Sequence, residues 1–170
     1  WNTPILIYFD KALPKTVKQS LVNFINQIKH IDNLEISLVR DKNEANYLIH
    51  STNKIFNIKS YKPNNEKDRL NYVFNNGIYK QIRDNTGKVK ACVIELNNIG
   101  QTFKIMKKTL RQLFYLSLGR FSLIYYKNGD NSLLNPKYRY DIEISELDLA
   151  ILRIHYNVIF NTSLTRNQFR

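Results

Sequence analysis

The residues that are best suited to bind a ligand are four cations along one stretch of the chain. They fall at i, i+3, i+4 and i+7 and are Lys104, Lys107, Lys108 and Arg111. On a helix this spacing forms one face, and Tyr115 lies one turn further along it. Such a face can hold phosphate or carboxylate groups by charge-assisted hydrogen bonds. We therefore treat it as a candidate basic binding face, with a simple solvated helix face as the alternative.

Side chains that bind metals or act as nucleophiles are scarce. The histidines are His30, His50 and His155, and none has a second histidine four residues away. Cys92 is the single cysteine, which excludes an intrachain disulfide and any multi-cysteine metal site. Its apolar neighbours predict a buried thiol, and His155 is expected to be a partly buried structural residue. No glycine-rich phosphate loop or nucleophile elbow is present, so we expect no cofactor.

The composition indicates a globular domain with a basic surface. The chain has 170 residues, of which 43% are hydrophobic and 24% charged. One domain with a real core is therefore expected, and whole-chain disorder is excluded. Lys and Arg outnumber Asp and Glu by 26 to 14, for a formal net charge of +12. This surplus suits polyanions, anionic membranes or acidic partners. No run approaches the length of about 18 apolar residues that a membrane span needs, so no transmembrane segment is expected.

Hydrophobic periodicity predicts a mixed α/β domain. Continuous or alternating apolar runs predict strands over 4–9, 34–39 and 45–50. Apolar residues at helical spacing after Pro14 predict an amphipathic helix between the first two strands. The turn sequence 84–87 predicts a hairpin that joins strands over 78–82 and 89–96. Together these elements predict a central twisted sheet of about five strands, mostly parallel, with one antiparallel edge.

A long helix is predicted to follow the hairpin, from about Phe103 to about Gly119. Its inner stripe should pack on the sheet and consists of Met106, Leu110 and Leu113. After an irregular stretch, Ser145 and Asp148 form a capping box that starts a final helix. The apolar stripe of that helix is expected at Leu147, Ile151, Ile154 and Val158. We divide one domain, 1–170, into a sheet-rich part (1–100), the central helix (101–120) and an irregular loop with the C-terminal helix (121–170).

This order of elements resembles the zincin-like domains of the metzincin kind. In these a strand–helix–strand sheet leads to an active-site helix that bears the motif H-E-x-x-H-x-x-G-x-x-H. The second half is similar to a bacterial exported family of unknown function with metzincin-like architecture. The matching segments are Leu118-Gly119, Ser122-Leu123-Ile124-Tyr125 and Ile144 to Tyr156. The resemblance implies an α/β (α+β) fold with a five-stranded mixed sheet, a long central helix and a small C-terminal helical subdomain.

The resemblance also implies that the zinc motif has been lost. Gly119 at the motif glycine places Gln112 at the first histidine, Leu113 at the glutamate, Leu116 at the second histidine and Ser122 at the third ligand. An amide, two aliphatic groups and a hydroxyl replace neither the three ligands of a catalytic zinc nor its general base. We expect no bound metal and no peptidase activity. Gln112, Leu116 and Ser122 should still converge where the metal would lie.

Three functions remain open at this stage. The first is an exported, non-catalytic domain that binds an anionic ligand or a protein partner in the relic cleft or on the basic face. The second is a basic intracellular module for nucleic acid, which the lack of any nucleic-acid-binding motif makes the weaker expectation. The third is a hydrolase with a carboxylate site within 121–143. The start at Trp1 without Met, the single cysteine and the resemblance together predict export to the periplasm, cell surface or medium.

Overall fold

The computed structural model describes residues 1, 3–54, 56, 76–119, 121, 123, 131–135 and 138–161, the last four of these by their backbone alone. It contains five strands: β1 (Ile5–Phe9), β2 (Ile36–Leu38), β3 (Tyr47–Thr52), β4 (Gly77–Arg83) and β5 (Val89–Asn97). They form one sheet in the order β2-β1-β3-β5-β4. Every neighbouring pair is parallel except β4 with β5. The predicted mixed sheet with one antiparallel edge is therefore confirmed.

The helix between β1 and β2, α1 (Lys15–Ile28), begins directly after Pro14. Proline suits this place because the first N–H groups of a helix have no partner within the helix. The residues that the periodicity assigns to the inner face are all buried: Val17, Leu21, Phe24, Ile25 and Ile28. Helical spacing alone therefore identified this face correctly.

The turn between β4 and β5 is organised by the Asp84 side chain. The Asp84 carboxylate accepts hydrogen bonds from the backbone N–H groups of Thr86 and Lys88, at 2.9 and 3.0 Å. Gly87 completes the turn with φ of 82°, a conformation that favours glycine. The predicted hairpin is confirmed, and it forms the antiparallel edge of the sheet.

The central helix, α2 (Phe103–Ser117), starts at a Thr102 cap whose hydroxyl accepts from the Ile105 N–H. The predicted inner stripe of Met106, Leu110 and Leu113 is buried, as expected. Burial does not stop at that stripe. Every residue from 109 to 119 is buried, so the second half of α2 is enclosed on all sides. A helix enclosed in this way is a core element rather than a surface helix.

The last described helix, α3 (Glu146–Asn161), begins at the predicted capping box, with the Asp148 N–H donating to the Ser145 hydroxyl at 3.1 Å. Its predicted apolar stripe is partly wrong. Leu147 and Ile154 are exposed, Ile154 to 61%. Ile151 is half-buried and packs against the core as predicted, and the side chain of Val158 lies outside the described part. The buried positions are Asp148, Leu149, Leu152 and Tyr156.

Within the part of the chain that the structure describes, no helix combines the length and the apolar character needed to cross a membrane.

Candidate functional site

The position aligned with the first zinc histidine is occupied by a buried amide. Gln112 lies in the enclosed half of α2, and its Nε2 donates to the carbonyl oxygens of Leu133 and Asn135, at 3.2 and 3.1 Å. Both N–H groups of the amide are thereby used. Gln112 fastens the helix to segment 131–135, so polypeptide covers this side of α2.

The position aligned with the catalytic glutamate faces the sheet. Leu113 is buried, and its Cδ1 lies only 2.9 Å from where a Cβ on Gly77 would stand. Strand β4 can therefore approach the helix here only because residue 77 is a glycine. Leu113 contributes to the packing of α2 on β4, whereas Gln112 contacts segment 131–135.

The next relic position, Leu116, has no metal-binding atom. Leu116 is fully buried. Ser122 lies outside the described residues, so its convergence with Gln112 and Leu116 stays a prediction. Among the described residues, no group of three or more His, Cys, Asp or Glu side chains is placed to hold a metal ion. The donor set that a catalytic zinc requires does not fit the residues at this site.

Gly119, aligned with the motif glycine, is required by close packing. A Cβ at this position would stand 2.8 Å from Phe121 Cζ and 3.0 Å from His155 Nε2. The His155 ring packs edge-on against Phe121, with centroids 5.0 Å apart. Burial lowers the pKa of His155 to about 4, which keeps the imidazole neutral at neutral pH. The predicted structural role of His155 is consistent with this packing.

The buried end of α2 is closed by side chains from three distant parts of the chain. The Ser117 carbonyl accepts from the Trp1 indole at 3.0 Å and from the Gln81 amide at 2.7 Å. The Leu118 carbonyl accepts from the Tyr156 hydroxyl at 2.8 Å. The last carbonyls of a helix have no partner within it, and burial without partners would be costly. The end of α2 is therefore sealed by structural hydrogen bonds.

The candidate basic face is shorter than predicted. Lys104 is exposed and Lys107 and Lys108 are half-buried, but Arg111 is only 3% exposed. The Arg111 guanidinium donates to the carbonyl oxygens of Asp141 and Ile142 and lies over the Phe24 ring, 4.5 Å from its centroid. Arg111 therefore secures the irregular segment over α2 and offers no charge to a ligand.

Tyr115 is also wrongly assigned to that face. It is fully buried, and its hydroxyl donates to the Asp148 carbonyl at 2.9 Å. Assigning Arg111 and Tyr115, at i+7 and i+11 from Lys104, to this face assumes that the same side of the helix is exposed to solvent along its whole length. Segment 138–144 and the start of α3 cover that side instead, so the basic face ends at Lys108.

One buried carboxylate was missed as an organising residue. Asp148 accepts from the Ser132 hydroxyl at 2.6 Å, the Leu133 N–H at 2.9 Å and the Ser145 hydroxyl at 2.7 Å. The capping-box pattern places Asp148 near a helix start, but it does not reveal that segment 131–135 also binds this carboxylate. Asp148 joins the segment that covers Gln112 to the first turn of α3.

The exposed end of α2 carries a second feature that the periodicity did not reveal. Beside the lysines, three large apolar side chains reach solvent: Ile99 is 47%, Phe103 56% and Ile105 37% exposed. A sequence signal exists, since Phe103 and Ile105 lie off the inner stripe and flank Lys104. The end of α2 thus presents apolar and cationic groups together.

No protein-family model matches this sequence, and no curated protein matches it either. The zincin-like resemblance accordingly rests on the sequence pattern and the order of elements, and it stays a prediction.

Proposed function

We propose that this chain is a zincin-like domain that acts by binding through its surface and has no zinc-dependent peptidase activity. The observation that carries the proposal is the state of Gln112 and Leu113, which are buried and engaged in packing where a ligand and a general base would be needed. The architecture supports it as well. A five-stranded mixed sheet with an antiparallel edge, a central helix and a C-terminal helix is the layout that the resemblance implies.

The chemistry of the site supports the loss of catalysis. A zinc-bound water needs about three ligands to hold the metal and a base to accept the proton. Gln112 has used both amide N–H groups, and Leu113 and Leu116 have no polar atom. His155 approaches Gly119 and supplies one imidazole, which by itself forms no zinc site.

The hydrolase alternative has less support. Asp148 is the buried carboxylate in the described part of segment 121–143 and the helix that follows it. Its three accepted hydrogen bonds assign it to holding the segment in place. A general acid or base must reach a substrate, and this carboxylate is fully enclosed.

The nucleic-acid alternative also has less support. Surfaces that bind single-stranded nucleic acid combine positive charge with exposed aromatic rings on which bases stack. Four tyrosines are instead buried: Tyr47, Tyr115, Tyr138 and Tyr156. The exposed end of α2 offers one aromatic ring, Phe103, among aliphatic residues. Export from the cytoplasm is proposed together with the zincin-like identity, and fractionation of the source cells tests it.

The proposal is tested by elemental analysis of the purified protein and by thermal unfolding with and without a strong chelator. We expect substoichiometric zinc and an unchanged unfolding midpoint, because core burial rather than metal binding stabilises the fold. One zinc per chain, or a large loss of stability on chelation, would overturn the proposal.

A restored variant serves as the positive control for the alignment. Gln112→His, Leu113→Glu, Leu116→His and Ser122→His together supply the missing ligands and base. These changes introduce polar groups into the core, so the variant should be less stable than the wild type without metal. Zinc should then raise its unfolding midpoint, because a ligand that binds the folded state stabilises it. No response to zinc would show that these positions do not surround a metal site.

A further inference from the structure

The exposed end of α2 and the turn before it form a surface patch, which we define as residues 99–108 and call the tip. Its apolar members are Ile99, Phe103 and Ile105, and its cations are Lys104, Lys107 and Lys108. The whole stretch from Leu96 to Arg111 contains no acidic residue. The tip therefore combines exposed apolar side chains with positive charge that no acidic residue of the same stretch offsets.

Single exposed apolar residues are ordinary on protein surfaces and need no explanation. Here three lie within seven residues, at the one end of α2 that leaves the core. The turn before the helix also leaves open space. Gly100 has φ of 64°, and among the described residues no atom outside its chain neighbours lies within 4 Å of where its Cβ would be. The space beside Gly100 therefore gives a lipid head group room to approach this turn.

Charge complementarity identifies the surface as anionic. Lysines near a negatively charged bilayer each contribute favourable binding energy, and their aliphatic stems lie among the head groups. Exposed Phe and Ile side chains beside such lysines are typical of interfacial anchors, whose apolar groups enter the boundary between head groups and acyl chains. Nucleic acid would use the lysines but would leave Ile99 and Ile105 without a role, because stacking requires aromatic rings.

We propose that the 99–108 tip docks on the surface of an anionic lipid bilayer. Ile99 and Phe103 enter the head-group region, and Lys104, Lys107 and Lys108 contact lipid phosphates. The inference rests on the proposed function only in taking surface binding as the mode of action, and it is independent of the zinc question.

The test is sedimentation of the protein with vesicles of phosphatidylcholine alone and of phosphatidylcholine mixed with phosphatidylglycerol. We expect binding to the mixed vesicles that weakens as salt is added, because salt screens exposed charges. Absence of binding to the mixed vesicles would overturn the inference. Equal binding to both vesicle types would also overturn it, since the lysines would then play no part.

The lysine contribution has a matched control in α1. Lys15 and Lys18 have the same three-residue spacing in the first turn of their helix and the same pattern of one exposed and one half-buried side chain. Lys104→Glu with Lys107→Glu should weaken partitioning into mixed vesicles by more than about tenfold. Lys15→Glu with Lys18→Glu changes the net charge equally and should keep wild-type partitioning within about threefold. Equal losses in the two variants would indicate attraction by overall charge and would overturn the assignment to the tip.

The apolar contribution is tested by Phe103→Ser, with Ile154→Ser on α3 as its control. Phe103→Ser should weaken partitioning into the mixed vesicles by about tenfold and leave the salt dependence of partitioning unchanged. The change removes apolar area that would enter the bilayer, and it removes no charge. Ile154→Ser removes an equally exposed apolar side chain far from the lysines in sequence and should have no effect. If Phe103→Ser binds like the wild type, insertion is wrong.

A single-stranded oligonucleotide in the same buffer provides the competing outcome. If it displaces the protein from vesicles and the Phe103→Ser variant binds it as well as the wild type does, the tip is a nucleic-acid surface and the inference is overturned. The zinc measurement separates this failure from failure of the proposed function. If the protein contains no zinc and does not bind vesicles, the lipid inference alone is overturned. If it contains zinc and binds vesicles, the proposed function alone is overturned.

Discussion

The two halves of α2 differ in their exposure to solvent. Residues 103–108 are exposed or half-buried except for Met106, whereas residues 109–117 are buried on every side. Of the four cations at helical spacing, the three lysines of the first half reach solvent, whereas Arg111 in the second half is buried. Amphipathic spacing therefore predicts exposure only while a helix has one solvent side, and α2 loses that side where segments 131–135 and 138–144 and the start of α3 cover it.

The largest difference in stability is expected between two variants that place the same negative charge in each half of α2. Leu113→Asp introduces a carboxylate against β4 and should lower the free energy of unfolding by about 4 kcal/mol. Phe103→Asp lies at the exposed first position of the helix, where a negative charge is tolerated, and should change stability by less than about 0.5 kcal/mol. Urea unfolding followed by circular dichroism measures both, and similar losses would contradict the division of α2 into two halves.

The segments that enclose the second half should depend on Asp148. Asp148→Asn keeps the shape but replaces one of the two acceptor oxygens with an NH₂ group, and Ser132 and Leu133 donate to different oxygens. One of these two donors therefore loses its acceptor, and the change should cost about 2–3 kcal/mol of unfolding free energy. Asp32→Asn, an exposed change of the same kind, is the control and should be neutral. Thermal unfolding compares the two. Equal midpoints would mean that Asp148 does not hold the cover over α2.

A smaller effect is expected from pH, through His155 beside the end of the buried half. The imidazole has a pKa of about 4 in the folded state, below its ordinary value of 6.5, because burial disfavours the charged ring. The unfolded chain therefore takes up the proton first, and the free energy of unfolding should fall as pH drops from about 6.5 to about 4. Since the ring is partly exposed and screened, we expect a loss of about 1–2 kcal/mol.

Denaturant titrations across that pH window measure the dependence. His155→Gln should flatten it, whereas His30→Gln, which alters an exposed histidine, should leave it unchanged. If the His155→Gln protein keeps the full slope, another group is responsible.

The sheet and α1 could be predicted from the sequence because their signals are local. Apolar runs gave β1 and β3, helical spacing gave the buried face of α1, and the 84–87 turn gave the hairpin. Each of these elements buries one predictable side, so periodicity and packing agree.

The candidate site could not be predicted to the same extent, because its environment comes from segments without a period. Nothing in the spacing of Arg111 or Tyr115 reveals that backbone carbonyls near 141 and 148 lie over them. The inner face of α3 was misplaced for a related reason. Its polar Asp148 turns inward to bind segment 131–135, and a pattern based on apolar residues excludes such a position from the core.

The hydrogen bond from Trp1 to the Ser117 carbonyl gives the domain an internal optical reporter. Trp1 is the single tryptophan, it stacks on Tyr47 with centroids 5.7 Å apart, and its partner is 116 residues away in the chain. Closing a loop of this length is slow relative to forming local helices and hairpins. Tryptophan fluorescence should therefore acquire its native emission after the circular dichroism signal of the helices has developed during refolding.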